Sequence, residues 1–387
     1  MNWWNLSLLL ILVAGHTQLW VALINRLHAL PLGRGVLKQL RHVHDMAVLA
    51  FPPVLFWCVG LNGPRLLTYG RWGDLNSTWT SVFVLCAIGV VGLAICVVRH
   101  QWASPVPALL AERSEIIDVA RQLGGRPIAA GPYRWMARLP GNEQFTVELT
   151  EKRLALPRLP DVWNGLRILH LSDWHLMPTL DRSYFEAVTE QALSRPADLV
   201  VFSGDLVDDL DCLAWLPETI GRVDARLGRY FILGNHDWSL DSDIVRRRMS
   251  ELGWQDIAGR TFTMEFAARR LVMGGDETPW IGTAPDFSAS PPDDFRLLVS
   301  HTPDHFRRAR AAGVDLMLSG HNHGGQVVLP GIGPVYAPSR YGVRYADGVF
   351  SSPPTLLHVS RGLSGDHPFR WRCRPEVSWL VLERGTG

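Results

Sequence analysis

Three uncharged apolar stretches in the first hundred residues constrain this chain more than any other feature. The first runs from about Leu6 to Ile24, broken only by His16, Thr17 and Gln18. The second runs from Met46 to Leu61 and contains Pro52-Pro53, and the third runs from Trp79 to Val98. A helix needs about 20 apolar residues to cross the hydrocarbon core of a bilayer, so the first and third are candidate spans. The second is shorter and carries prolines, which membrane helices tolerate. The first stretch has no basic n-region and no small-x-small cleavage site, so it reads as a span rather than a leader. Loop charge sets the orientation. Residues 25–45 hold four basic residues and one acid, and residues 62–78 hold two and one. Excess Lys and Arg stay in the cytoplasm. With three spans, everything after Arg99 is then cytoplasmic; without the second span it lies on the other side.

The rest of the chain has a different character. Residues 1–99 carry a net charge of +5 within a whole-chain charge of +1, so the remainder is slightly acidic and offers no basic field for nucleic acid. Charged residues make up 19 % of the chain, which is too few for a disordered polyelectrolyte. Cys58, Cys86, Cys96, Cys212 and Cys373 form no C-x-x-C pair and no even framework, so they read as small buried apolar residues. Residues 100–144 read as a linker, with a short helix over Ser114–Leu123 and glycine and proline punctuating the rest.

From Phe145 onward, strand-like runs alternate with helical ones, which predicts an α/β domain over residues 145–387. Each apolar run ends in polar residues. Arg167–Ser172 leads to Asp173-Trp174-His175, and Asp198–Ser203 leads to Gly204-Asp205-Leu206-Val207-Asp208. Tyr230–Leu233 leads to Gly234-Asn235-His236-Asp237, Arg296–Ser300 to His301, and Asp315–Ser319 to Gly320-His321-Asn322-His323. Open α/β sheets present ligands at the carboxyl ends of their strands. A rim of carboxylates, imidazoles and one carboxamide is the donor mixture that divalent metals take.

D-x-H, G-D-x-x-D, G-N-H-D, a lone His and G-H-x-H, in that order, resemble the calcineurin-like metallophosphoesterase superfamily. The G-H-x-H-G-G-Q run ending at Gln326 and the tail Val359–Leu363 followed by Arg374-Pro375-Glu376 resemble its bacterial YaeI/YkuE-like branch. That branch commonly has threonine where this chain has Asn322. The resemblance implies a four-layer α-β-β-α sandwich holding two divalent metal ions, with Mn, Fe and Zn all suited to the donors. Asp173, His175 and His323 resemble ligands of the first metal. Asn235, His301 and His321 resemble ligands of the second, and Asp205 resembles the bridging carboxylate. His236 resembles the general acid, with Asp208 and Asp237 as orienting groups. The implied reaction is hydrolysis of a phosphomonoester, phosphodiester or pyrophosphate bond by a metal-bridging hydroxide.

Two other readings compete. A silent binding scaffold of the same fold would have lost ligands, and all seven positions stand here. A phosphoprotein phosphatase would show G-D-x-x-D-R-G and G-N-H-E, where this chain has Asp209-Leu210 after Asp208 and Asp237 in place of the glutamate. The expected partners are a phosphoester, in the finer reading a lipid-linked one, and the bilayer. Trp174, with Leu176-Met177-Pro178, is a candidate for meeting an acyl chain. Arg340 and Arg361 are candidates for phosphate, and His170 reads as a core residue.

Overall fold

The computed structural model describes residues 1–385. The chain divides into two compact units. One is Met1–Ala103 with Leu329–Arg344, and the other is Ser104–Val328 with Tyr345–Gly387.

The first unit is built on three helices, α1 (Trp3–His28), α2 (Arg34–Leu55) and α3 (Ser77–Gln101). α2 continues as a π-helical turn over Phe56–Leu61, and all three helices are long and apolar enough to cross a membrane. α2 begins well before the apolar stretch because Lys38, Arg41 and their neighbours are good helix formers. Pro52 and Pro53 sit inside it and remove two backbone donors, and the wide turn follows directly. α1 and α3 cross at small residues. A Cβ on Gly15 would lie 2.0 Å from the Cys86 carbonyl, and one on Gly89 would lie 2.0 Å from the Gly15 carbonyl, so only glycine fits. Buried Asn5 donates to the Leu66 carbonyl (2.7 Å) and accepts from Trp72 Nε1 (2.9 Å). Within the same unit, Asn25 Oδ1 accepts from the Ala337 amide at 3.3 Å.

The second unit holds two mixed sheets, with strands numbered along the chain. The seven-stranded sheet has the order β1 (Leu109–Asp118), β2 (Thr146–Leu156), β15 (Glu376–Arg384), β3 (Arg167–Leu171), β4 (Leu199–Ser203), β5 (Arg229–Ile232), β6 (Gln255–Asp256). The six-stranded sheet has the order β13 (Gly348–Ser352), β14 (Thr355–Val359), β10 (Leu316–Ser319), β9 (Phe295–Ser300), β8 (Arg269–Asp276), β7 (Thr261–Phe266). The first unit also contains β12 (Gly333–Pro334), which pairs with β11 (Val328–Leu329) where the Leu329–Arg344 segment begins.

Alternation along the strands divides the core. Ile168, Leu199, Val201, Ile232 and Leu380 meet Met273, Leu297, Val299, Leu316 and Leu318 between the sheets. Leu169, Leu171, Val200, Phe202 and Phe231 face the other way, onto Tyr184, Phe185 and Val188 of the helix Arg182–Leu193 and Val245 and Met249 of Ser242–Glu251. The helix Phe306–Ala311 accompanies the second sheet at β14. Strands β3, β4 and β5 run parallel, as do β8, β9 and β10, so their carboxyl ends open together.

The stretch 100–144 differs from the linker reading. It contains β1, which pairs antiparallel with β2 from Leu109↔Leu154 to Asp118↔Thr146. The expected helix over Ser114–Leu123 shrinks to Val119–Gln122. β1 is an edge strand with most of its side chains in solvent, so its charged Glu-Arg-Ser-Glu run shows no alternation.

Candidate metal centre

Five successive strand ends turn sharply to aim their side chains inward. Asp173, His175, Asp205, His321 and His323 all take left-handed backbone, with φ between 45° and 68°. Such residues cost of order 1–3 kcal/mol each and persist only where the surroundings hold them. The motif glycines make room for this. A Cβ on Gly234 would lie 2.1 Å from Asp205 Oδ1, and one on Gly320 would lie 2.0 Å from Asp173 Oδ2. Asp237 secures two turns at once, accepting from the amides of Leu206 (3.0 Å), Val207 (3.2 Å) and Gly234 (2.9 Å).

The side chains converge in three groups, of which two share the Asp205 carboxylate and the third is His175, Asp208 and His236. Asp173, His175, Asp205 and His323 form the first, and Asp205, His301 and His321 the second. His175 Nε2 lies 3.8 Å from Asp173 Oδ1 and 3.5 Å from Asp205 Oδ2, and His323 Nε2 lies 3.6 Å from Asp173 Oδ1. His301 Nε2 lies 3.3 Å from Asp205 Oδ2, 3.0 Å from Asn235 Oδ1 and 3.1 Å from His321 Nδ1. All seven residues that the resemblance implies as ligands therefore stand in one basin, with His236 beside it. His236 stacks edge-on to His175 at 4.5 Å between ring centroids.

The far nitrogens fix the tautomers. His175 Nδ1 meets Asp208 Oδ2 at 3.1 Å, His301 Nδ1 meets the Ser203 carbonyl at 2.9 Å, and His323 Nδ1 meets the Ser364 carbonyl at 2.9 Å. Each Nδ1 thus has a protein acceptor, and Nε2 is the nitrogen that faces the basin; burial pulls the His175 and His301 imidazoles down, but the surrounding carboxylates hold them above their ordinary range. Asp205 Oδ2 and His175 Nε2 are fully buried without a hydrogen-bond partner. Buried polar atoms left without a hydrogen-bond partner call for a group that satisfies them, and a cation would do so here. The donor set, mixed imidazole and carboxylate with one carboxamide, fits two divalent cations sharing Asp205.

Electrostatics separate the roles. Burial pushes the carboxylates up, but His301 and His236 around Asp205, and His236 and His175 around Asp208, hold both well below the usual carboxylate range. Burial pulls the His236 imidazole down, while Asp208, then Asp205 and Asp366, push it up to about 9. Its Nδ1 is held by Asp208 Oδ1 at 2.5 Å, and 17 % of the side chain is exposed.

Several other expectations come out differently. Trp174, Leu176 and Met177 are buried: Trp174 stacks on Phe185 and Leu176 bridges to Val207, so none meets an acyl chain. Arg361 pairs with Glu148 (2.9 Å) and Glu376 (3.4 Å), so its charge is already matched by carboxylates of the chain. The segment Ser364–His367, in which the sequence suggests only His367 as an ordinary surface or packing residue, borders the basin. Asp366 Oδ1 lies 3.7 Å from His236 Nδ1, and the His367 ring packs on Tyr133 at 4.3 Å. Trp280 packs on the rings of His301 and His321, at 5.6 and 4.9 Å. Neither feature had a motif to announce it. Ser364 acts through a backbone carbonyl, and Trp280 arrives from a loop remote in sequence.

Residues 166–325 match the calcineurin-like phosphoesterase family. The metallophosphoesterase YkuE of Bacillus subtilis (strain 168) is 28 % identical over 270 residues, covering 67 % of this chain and 92 % of its own. A transmembrane protein with metallophosphoesterase domain from Bos taurus is 24 % identical over 404 residues, covering 96 % of this chain and 87 % of its own. The UDP-2,3-diacylglucosamine pyrophosphatase LpxG of Chlamydia muridarum (strain MoPn / Nigg) is 25 % identical over 296 residues, covering 61 % of this chain and 89 % of its own.

Proposed function

We propose, from the premise that this chain carries a calcineurin-like metallophosphoesterase domain and is a metal-dependent phosphoesterase, that it works as a dinuclear enzyme anchored by three membrane spans, with the catalytic domain in the cytoplasm and a lipid-linked phosphoester as substrate. In this reading residues 1–99 form the membrane region and the chain from about residue 104 the catalytic domain. The observation that carries the dinuclear reading is Asp205 Oδ2, buried and unpartnered, with His175 Nε2 at 3.5 Å on one side and His301 Nε2 at 3.3 Å on the other.

Asp173, His175, His323 and Asp205 would hold the first metal, and Asp205, Asn235, His301 and His321 the second. Bound divalent metals supply Lewis acidity to a phosphoryl oxygen and lower the pKa of water. The chain supplies the remainder. Asp208 orients His175 through Nδ1 and, through its other oxygen, His236. With Nδ1 held there, the His236 Nε2–H donates its proton to the leaving-group oxygen as the P–O bond breaks, a contribution typically of 10²–10⁴-fold.

Three facts support a lipid-linked substrate held at a membrane. The helices are apolar and long. The bovine relative is named as a transmembrane protein and overlaps 96 % of this chain. LpxG is named for a diacylated pyrophosphate. Within the catalytic domain, Tyr133 and Trp135 are 46 % and 61 % exposed, and Tyr133 packs on His367, next to the Asp366 that faces His236. Those aromatics take the place first given to Trp174. The basic 25–45 loop supports the cytoplasmic orientation.

Metal analysis of purified full-length protein should find two divalent ions per chain, with hydrolysis of a lipid-linked phosphoester more efficient than of its short-chain analogue. One metal or none defeats the dinuclear reading, and equal kcat/KM for both substrates defeats the lipid reading. A cytoplasm-dependent reporter fused after Gly387 should be active; activity of a periplasm-dependent one there reverses the orientation.

A further inference from the structure

A hydrogen-bonded line of side chains leads away from Asp173 into the space between the sheets. Ser172 Oγ lies 2.5 Å from Asp173 Oδ2, and Ser203 Oγ lies 2.7 Å from Ser172 Oγ. His170 Nε2 lies 2.9 Å from Ser203 Oγ, and His358 Nδ1 lies 2.9 Å from His170 Nδ1. Every member is at most 1 % exposed. Four strand positions build it: Ser172 follows β3, Ser203 closes β4, His170 lies within β3 and His358 within β14.

The directions of the bonds are determined. Asp173 is a carboxylate, so Ser172 donates to it. Ser172 has then used its one proton and accepts from Ser203. Ser203 in turn accepts from His170 Nε2–H. A neutral His170 then offers a lone pair at Nδ1, which accepts the Nδ1–H of His358. His358 Nε2 is left as a bare acceptor, and it has no partner. Burial holds both imidazoles below their ordinary range, to about 4 for His170, in keeping with two neutral rings. Four donors in series therefore point at one oxygen, and hydrogen bonds arranged this way polarise one another.

We infer that His358, His170, Ser203 and Ser172 are positioning residues for Asp173, a one-way donor chain that loads Oδ2, fixes the rotation of the carboxylate so that Oδ1 faces the first group and thereby sets that metal's affinity. Both oxygens accept from the His321 amide, Oδ1 at 3.0 Å and Oδ2 at 3.1 Å, and Oδ1 is the one that faces His323 Nε2 (3.6 Å) and His175 Nε2 (3.8 Å). The inference rests on the dinuclear reading. It assigns a role to His170, whose burial alone would class it with the core, and separates the two metals, because the line reaches the second group only through backbone atoms, the Ser203 carbonyl at His301 and the His321 amide at Asp173.

Equilibrium dialysis of Mn²⁺ against full-length wild type, Ser172→Ala, Ser203→Ala and His358→Phe tests it, with far-UV circular dichroism and thermal midpoints measured alongside. Removal of groups that orient a ligand typically costs 10–100-fold in metal affinity. The tighter-oriented first site should weaken by about that factor in Ser172→Ala, by less in Ser203→Ala and least in His358→Phe, with the second site within twofold of wild type. Ser172→Thr, which restores the hydroxyl, should recover affinity. Equal weakening of both sites, or wild-type binding in Ser172→Ala, overturns the inference. A loss confined to Ser172→Ala reduces the line to a single contact and overturns the chain. Should Ser203→Ala fail to fold, the other two variants decide. Wild type binding fewer than two Mn²⁺ overturns the dinuclear reading instead, so the two failures are distinct.

Discussion

Two clusters of buried charge lie in the catalytic domain, and they are built on opposite rules. Around Lys152, one of two lysines in the chain, the ammonium, the Thr150 hydroxyl and the Glu376 carboxylate are all hydrogen-bonded. Its ammonium donates to Glu376 and to Thr150 Oγ1 (3.0 Å), with Glu112 at 3.5 Å. Glu376 also accepts from Thr150 Oγ1 (2.8 Å) and from the Arg361 amide (3.1 Å). Around Asp205 the same degree of burial leaves Asp205 Oδ2 and His175 Nε2, 3.5 Å apart, without a hydrogen-bond partner. A closed cluster joins β2 to β15 and needs nothing further. An open one is incomplete until a cation enters. Burial and charge alone do not distinguish structural from chemical residues; the count of donors against acceptors does.

The largest effect should come from closing the open cluster. Asp205→Asn replaces the shared acceptor by an amide that can hydrogen-bond without a metal. Both metals should be lost, with affinities falling by more than about 10²-fold, because even residues outside the ligand set cost 10–100-fold. Turnover should vanish while the thermal midpoint of the metal-free protein holds or rises. Two metals retained in this variant would erase the contrast between the clusters.

His236→Ala tests the boundary of the open cluster. His236 is hydrogen-bonded through Nδ1 to Asp208 and lies outside both donor sets, so metal content should stay near wild type. Turnover should fall by about 10²–10⁴-fold for poor leaving groups and much less for good ones. Equal losses for both would remove the proton-donor role.

The closed cluster should respond in stability instead of chemistry. Glu376→Ala strands the Lys152 ammonium in the core, at a cost of about 3–5 kcal/mol by chemical denaturation. Lys152→Met combined with Glu376→Leu should recover much of that, because an apolar pair replacing a buried ion pair is often neutral. In the double variant the metals should bind as in wild type. A double variant as unstable as the single one would show that Arg361 and Thr150, rather than the ion pair, hold the cluster.

The same difference explains what could be read from the sequence. Metal ligands follow strand ends with fixed spacing, because the strand supplies the position and glycine the turn, so D-x-H or G-N-H-D is visible in one dimension. The sheets were legible through β3, β4, β5, β9 and β10, whose apolar runs have buried faces on both sides. β1 was not, since an edge strand in solvent shows no alternation. Neither was Lys152 with Glu376, a pair joined across 224 residues by strand register alone. The line from Asp173 to His358 was hidden for the same reason: its members are ordinary serines and histidines until β4 and β14 bring them together.

The smallest effect concerns aromatic residues, where sequence proximity to the ligands was misleading. Trp174 stands between two proposed ligands yet packs fully into the core on Phe185, whereas Tyr133, far from any motif, is half exposed and reaches His367. Tyr133 also holds left-handed backbone, φ 58°, which is uncommon for a bulky residue and is kept only where the surroundings fix it. If Tyr133 and Trp135 meet the apolar part of a lipid-linked substrate, removing one ring forfeits part of a contact and leaves the reacting groups untouched. Tyr133→Ser and Trp135→Ser should each raise KM for a long-chain phosphoester several-fold, on the order of 1 kcal/mol of apolar contact. KM for a water-soluble analogue and kcat for both substrates should stay near wild type, as expected when binding is lost equally from ground and transition states. A fall in kcat with unchanged KM would move these rings from the substrate's tail to the orientation of His236 through His367 and Asp366. No change with either substrate would leave the membrane helices alone to bring enzyme and lipid together.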